Sequence, residues 1–115
     1  MLTPYKYGGN TKYGIDCSAF IRNIFFSSYN ILLPRITSNQ AKKGFSISQK
    51  NIDKGDLLFF ATGKSRKKIN HVGMVIHVDL HKIFFIHAST SNGVIISKFY
   101  QKYWNNRFII AKRII

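Results

Sequence analysis

Gly14-Ile15-Asp16-Cys17-Ser18-Ala19-Phe20 carries the only cysteine of the chain and opens a helix. Behind the Gly–Asp turn, Cys17, Phe20, Ile21, Ile24 and Phe25 recur at i, i+3, i+4, i+7 and i+8, the apolar stripe of a core-facing helix. Asp16 reads as its cap. The pattern predicts a helix from Cys17 to Ser28 or Tyr29, with Asn30 at C′ and Pro34 soon after. The lone thiol then stands in the first turn, where backbone N–H groups and the helix dipole favour a thiolate. A nucleophile with a pKa below the usual value of about 8.5 is one reading. A buried structural cysteine is the other, and it is the commoner fate of a single thiol. Asp16 and Ser18 beside it give a polar approach.

Outward from this helix the periodicity changes. Thr37 or Ser38 is suited to cap a short second helix, Asn39 to Lys43, closed by Gly44. Phe45 and Ile47 lie on an extended segment. Strands are predicted at 56–61, 71–78, 82–88, 94–97 and 108–114, with turns at Asp79-Leu80-His81 and Asn92-Gly93 and a helical turn at 99–104. Helices first and strands after give an α+β fold: N-terminal helices packed on one face of a mostly antiparallel sheet of about five strands. No repeat or linker interrupts the chain, so residues 1–115 read as a single domain.

Composition narrows the function. With 45% hydrophobic residues the chain can build a core. Its longest apolar runs, Leu57 to Ala61 and Ile83 to Ile86, fall far short of the ~20 residues that span a bilayer. Met1-Leu2-Thr3-Pro4 has neither a charged nor an apolar leader region, so no signal peptide is visible. The formal charge of +14 suits an anionic partner, or reflects a compositional bias towards Lys, Ile and Asn. There is no Glu, and the four Asp (16, 53, 56 and 79) do not form the placed pair that glycosidase chemistry needs.

Four histidines remain: 71, 77, 81 and 87. Their spacing matches neither HExxH nor a Cys-pair pattern, so no metal and no other cofactor is expected. If the segments 71–78 and 82–88 form a hairpin turning near Leu80, partner numbers sum to about 160. Position 87 then lies opposite 73, one diagonal step from His71 and on its face. The two rings can touch, one as base to a thiol and the other orienting it. This parity requires an odd-length loop or a bulge. The same parity puts His77 on the face of His71, towards the far end of the hairpin, and His81 in the turn; both read as surface residues. Tyr5, in the Gly-rich segment before the helix, reads as ordinary aromatic packing.

Taken in order, Tyr5-Lys6-Tyr7-Gly8-Gly9, Gly14-Ile15-Asp16-Cys17-Ser18, Leu33-Pro34-Arg35, Gly55-Asp56-Leu57-Leu58-Phe59-Phe60, His71-Val72-Gly73-Met74, Phe85-Ile86-His87-Ala88-Ser89, Tyr103-Trp104 and Ala111-Lys112-Arg113 resemble the NlpC-type cysteine peptidases of bacterial cell walls. The resemblance covers nearly the whole chain. Ala19 stands where that family commonly has Gly, and the hairpin between His71 and His87 is longer than is usual there. The resemblance implies a papain-like core and a Cys–His–His triad on Cys17, His71 and His87. It also implies an active-site tyrosine at Tyr5, which joins Ser18 and Arg35 as substrate-binding or oxyanion candidates. The implied substrate is the stem peptides or cross-bridges of peptidoglycan. The free carboxylates of those peptides suit a cationic groove built from Arg35 and the Lys64 to Lys68 loop. The implied location is the cell envelope or periplasm.

The reading is therefore a monomeric peptidoglycan endopeptidase, a thiol protease with no specific nucleic-acid partner. The alternative is a non-catalytic basic module on the same fold, holding cell-wall polymer or nucleic acid. Acyl transfer by the same thiol is a third reading, without a motif of its own.

Overall fold

The computed structural model describes residues 10–11, 14–89 and 93–115, and the Tyr5 expectation lies outside them. Two short strands, β1 (Asn10–Thr11) and β2 (Gly14–Ile15), pair antiparallel just before the first helix. That helix, α1, runs Cys17–Tyr29 and ends on Asn30, whose left-handed conformation lets its N–H reach back to the last turn. Next come α2 (Thr37–Gln40), β3 (Phe45–Ile47), β4 (Leu57–Phe60), β5 (His71–Asp79), β6 (Lys82–Ser89), β7 (Gly93–Lys98), α3 (Lys102–Arg107) and β8 (Phe108–Arg113). The second helix starts earlier than its sequence suggests. Ile36 precedes it without a side-chain cap, and Thr37 is its first residue.

Six strands form one antiparallel sheet in the order β3-β8-β4-β5-β6-β7. The sheet exceeds the five predicted strands because Phe45–Ile47 pairs with Ala111–Arg113 at its edge. An α+β fold with helices on an antiparallel sheet is what forms.

The sheet is covered on both faces, not one. All four residues of β4 are buried. Leu57 and Phe59 face Ile21 and Phe25 of α1, together with Val72, Ala88 and Val94. Leu58 and Phe60 face the opposite way, towards Val75, Ile83, Phe85 and Phe99, with Trp104 of α3 packed on that cluster. Period-two alternation in a strand buried on both sides accounts for its continuous apolar run. Each fully buried Phe contributes roughly 1.5–3 kcal/mol of burial free energy. Arg113 of β8 grips Asp56 at the start of β4 through two bonds, Nε to Oδ1 at 2.8 Å and Nη2 to Oδ2 at 2.9 Å, tying the central strands together.

The hairpin of β5 and β6 has two registers. Near the site Met74 pairs with Ile86 and Val75 with Phe85; beyond it His77 pairs with Phe84 and Asp79 with Lys82. The shift falls between Val75 and His77, leaving Ile76 as a bulge. The turn itself is two residues, Leu80 and His81, with Leu80 in the left-handed region at φ 56°. A bulge, not an odd-length loop, thus supplies the parity that puts His71 and His87 on one face. It also corrects the placement of His77. Val75 and Val78 both pack on the Phe60 and Phe85 cluster, so the intervening bulge moves His77 off the face of His71 and into solvent.

Candidate active site

Cys17 is the first residue of α1 and is buried. Asp16 before it is extended and accepts the Ala19 N–H at 2.9 Å, an N-cap that fixes the first helical turn and with it the thiol. The sulfur lies 3.7 Å from Thr37 Oγ1 and 3.8 Å from the Asn70 carbonyl oxygen. The Val72 backbone N–H favours its ionised form. Asn70 and Val72 flank His71, so the thiol sits against the first residues of β5. There the β5–β6 ladder has not yet begun, its first pair being Met74 with Ile86.

His71 Nε2 lies 2.8 Å from His87 Nδ1, and His87 Nε2 lies 2.7 Å from Ser97 Oγ. Trp104 stacks on His71 with centroids 5.5 Å apart and meets His87 edge-on at 4.8 Å. Gly73 permits the close approach of the two strands. A Cβ there would stand 2.5 Å from Phe85 Cδ2 and 3.2 Å from His87 Cβ.

Burial sets the protonation states. It pushes His71 down to about 4, and it pushes His87 to about 3, with the neighbouring His71 adding to the effect. Both imidazoles are neutral at pH 7. Burial also pushes the Cys17 thiol up, and Asp16 adds to this, while Thr37 and the Val72 and Ser18 backbone groups oppose it. Burial thus works against the depressed thiol pKa expected at a helix start. Desolvation is the largest influence on the thiol, and both neighbouring imidazoles are neutral. The resting site holds a protonated thiol and two neutral imidazoles.

A cleft of about 870 Å³ opens over the sulfur, lined by Cys17, Ser18, Thr37, Asn70 and the loop residues Lys64 and Lys68. Arg35 lines it too, but its guanidinium holds both Asp16 oxygens at 3.1 and 2.9 Å and Ser18 Oγ at 2.9 Å. Lys64 and Lys68 have no carboxylate partner among the described residues. The Asn70 side chain latches their loop by accepting the Thr62 N–H at 2.8 Å. Cys17, Ser18, Arg35, His71 and His87 thus converge on one end of the sheet, while His77 and His81 are exposed at the other. Ser97 and Gln40 escaped the sequence reading, and Thr37 reads there only as a helix cap. Gln40, fully buried, donates to the Ser18 and Pro34 carbonyls at 3.0 and 2.8 Å and so ties the Arg35 loop to the start of α1. Ser97 could not be found by counting: a two-residue turn at Asn92-Gly93 would set it opposite Ala88, on the other face, whereas the ladder pairs Ser89 with Gly93 and so sets Ser97 opposite Phe85.

The sequence profile of the NlpC/P60 family matches residues 2–113. The chain belongs to the NlpC/P60 family. It is 41% identical over 111 residues to the murein DD-endopeptidase MepS/murein LD-carboxypeptidase of Escherichia coli K12, covering 96% of this chain and 55% of that protein. It is 42% identical over 112 residues to the probable endopeptidase NlpC of the same strain, covering 97% of this chain and 70% of that one. The chain thus spans little more than half the length of the first of these relatives. Among solved structures, an NlpC/P60 family protein from Bacillus cereus superposes with a TM-score of 0.83 at 28% identity, over 96% of this chain and 35% of that one. The NlpC/p60 domain of the peptidoglycan hydrolase SagA gives 0.78 at 26% identity, over 97% and 87%.

Proposed function

We propose that this NlpC/P60 domain is a peptidoglycan endopeptidase that uses Cys17 as nucleophile, His71 as base and His87 to orient it. The observation that carries the reading is the 2.8 Å bond between His71 Nε2 and His87 Nδ1, which leaves His71 Nδ1 as the ring nitrogen available to the thiol. The thiol gives its proton to His71 Nδ1 as the sulfur attacks the amide carbonyl carbon. The resulting oxyanion takes a hydrogen bond from the Cys17 backbone N–H at the helix start. Tyr5, which lies outside the described residues, is the second-donor candidate by family resemblance alone. Collapse breaks the C–N bond, and the amine leaves with the proton held by His71. Water, deprotonated by His71, then releases the acyl group and restores the thiol. A placed base contributes roughly 10²–10⁴-fold to such a reaction.

The relatives named murein endopeptidases and the basic cleft support this substrate class. Ser18 and Arg35 form its floor as substrate contacts, and Lys64 and Lys68 face the carboxylates of the stem peptides. The domain acts as a monomer in the cell envelope. No helix of the described residues is long and apolar enough to cross a membrane.

Mass spectrometry of muropeptides before and after treatment with wild type and Cys17→Ala tests the reading. New fragments are expected with wild type only. Equal release by a folded Cys17→Ala would sink the mechanism, and binding without any release by wild type would favour the non-catalytic module.

A further inference from the structure

His87 is engaged at both ring nitrogens, by His71 at Nδ1 and by Ser97 Oγ at Nε2. Phe85 and Trp104 pack against it, and its side chain is fully buried. Ser97 is the register partner of Phe85, which places it on the same face of the sheet as His87.

A neutral imidazole has one N–H and one lone pair. For His71 to accept a proton at Nδ1, its own N–H must lie on Nε2 and donate to His87 Nδ1. His87 then carries its proton on Nε2 and donates to Ser97. In the opposite order Ser97 donates, His87 donates from Nδ1, and His71 Nδ1 is already protonated and useless as a base. Both orders satisfy His87, so the hydroxyl decides between them. Ser97 is half-buried, so its O–H can point to solvent while its oxygen faces the ring.

We propose that Ser97 is a positioning residue: its oxygen accepts from His87 Nε2, holds the tautomer that leaves His71 Nδ1 unprotonated, and stabilises the imidazolium that forms when the thiol ionises. The inference rests on the thiol–imidazole reading above. Ser97 touches no substrate and no bond to it changes.

The test uses Ser97→Ala and Ser97→Thr in the full chain. In ¹⁵N-labelled wild type at pH 7, the imidazole shifts should place the His87 proton on Nε2, and Ser97→Ala should give a mixture of tautomers. On muropeptides, Ser97→Ala should lower kcat about tenfold, the equivalent of one lost hydrogen bond of ~1.4 kcal/mol, with KM unchanged. Its acid limb should move to lower pH, because the imidazolium has lost a stabilising acceptor, and Ser97→Thr should restore both. A His87 proton on Nδ1 in wild type, or wild-type kcat and acid limb in a folded Ser97→Ala, would overturn the proposal. The nitrogen shifts judge Ser97 without turnover, whereas release by Cys17→Ala would sink the thiol reading itself.

Discussion

Arg35 holds both carboxylate oxygens of Asp16, at 3.1 and 2.9 Å, in the residue that directly precedes the thiol. Asp16 caps α1 but also pushes the Cys17 thiol up. The guanidinium lets the cap stay while offsetting its charge. Arg35→Ala should therefore raise the thiol pKa further and slow alkylation by iodoacetamide between pH 7 and 9. Asp16→Ala should cost about 1 kcal/mol of stability through the lost cap, read by urea unfolding. Faster alkylation in Arg35→Ala would contradict the electrostatic account.

The histidine pair makes stability fall on the acid side. In the unfolded chain each imidazole takes its proton near 6.5, whereas in the fold His71 and His87 do so only near about 4 and about 3. The unfolded state thus binds more protons below pH 6.5, and stability drops as pH falls from about 6.5 towards about 4 and below. Urea midpoints at pH 7 and pH 4.5 should differ by less in a His71→Gln, His87→Gln double variant than in wild type. The same neutral His71 should hold the acid limb of kcat/KM near about 4, well below the ordinary histidine value.

Gly73→Ala tests the strand contact that joins the two imidazoles. The added Cβ would meet Phe85 Cδ2 at 2.5 Å, so the rigid ring or the strand must shift. A loss of about 1–3 kcal/mol in thermal or urea unfolding is expected. Because His87 Cβ is also crowded, kcat should fall more than KM changes.

Lys64 and Lys68 should govern recognition of anionic substrates. Each Lys→Ala change should raise KM about two- to fivefold, as expected for an exposed charge contact of ~0.5–1 kcal/mol. The effect should fade at high salt, and kcat should stay near wild type. A paired substrate with carboxamide in place of carboxylate should lose the same discrimination in wild type. Salt-independent KM values in all variants would refute this role.

What could be read beforehand follows contact range. α1 was legible because its stripe, its Asp16 cap and its Asn30 stop are all local signals. The facing of His71 and His87 was legible because a hairpin is a short-range object with a countable register. β3 was not, since its partner Ala111–Arg113 lies at the other end of the chain and an edge strand of three residues has little pattern of its own. The direction of the thiol pKa was not legible either. A helix start is visible in sequence, but the burial that desolvates the sulfur is assembled by the fold. Ser97 sat on a strand that announced itself only as apolar.

The bulge at Ile76 has a consequence for how such a hairpin can vary. A two-residue turn at Leu80 and His81 would, in an uninterrupted ladder, point His71 and His87 to opposite sides of the sheet. One extra residue midway absorbs that offset before it reaches the histidines. The outer end, with its exposed Leu80, is thereby released from the frame of the inner end. Its length can change by a residue if the bulge is gained or lost with it, and the chemistry at the other end keeps its handedness.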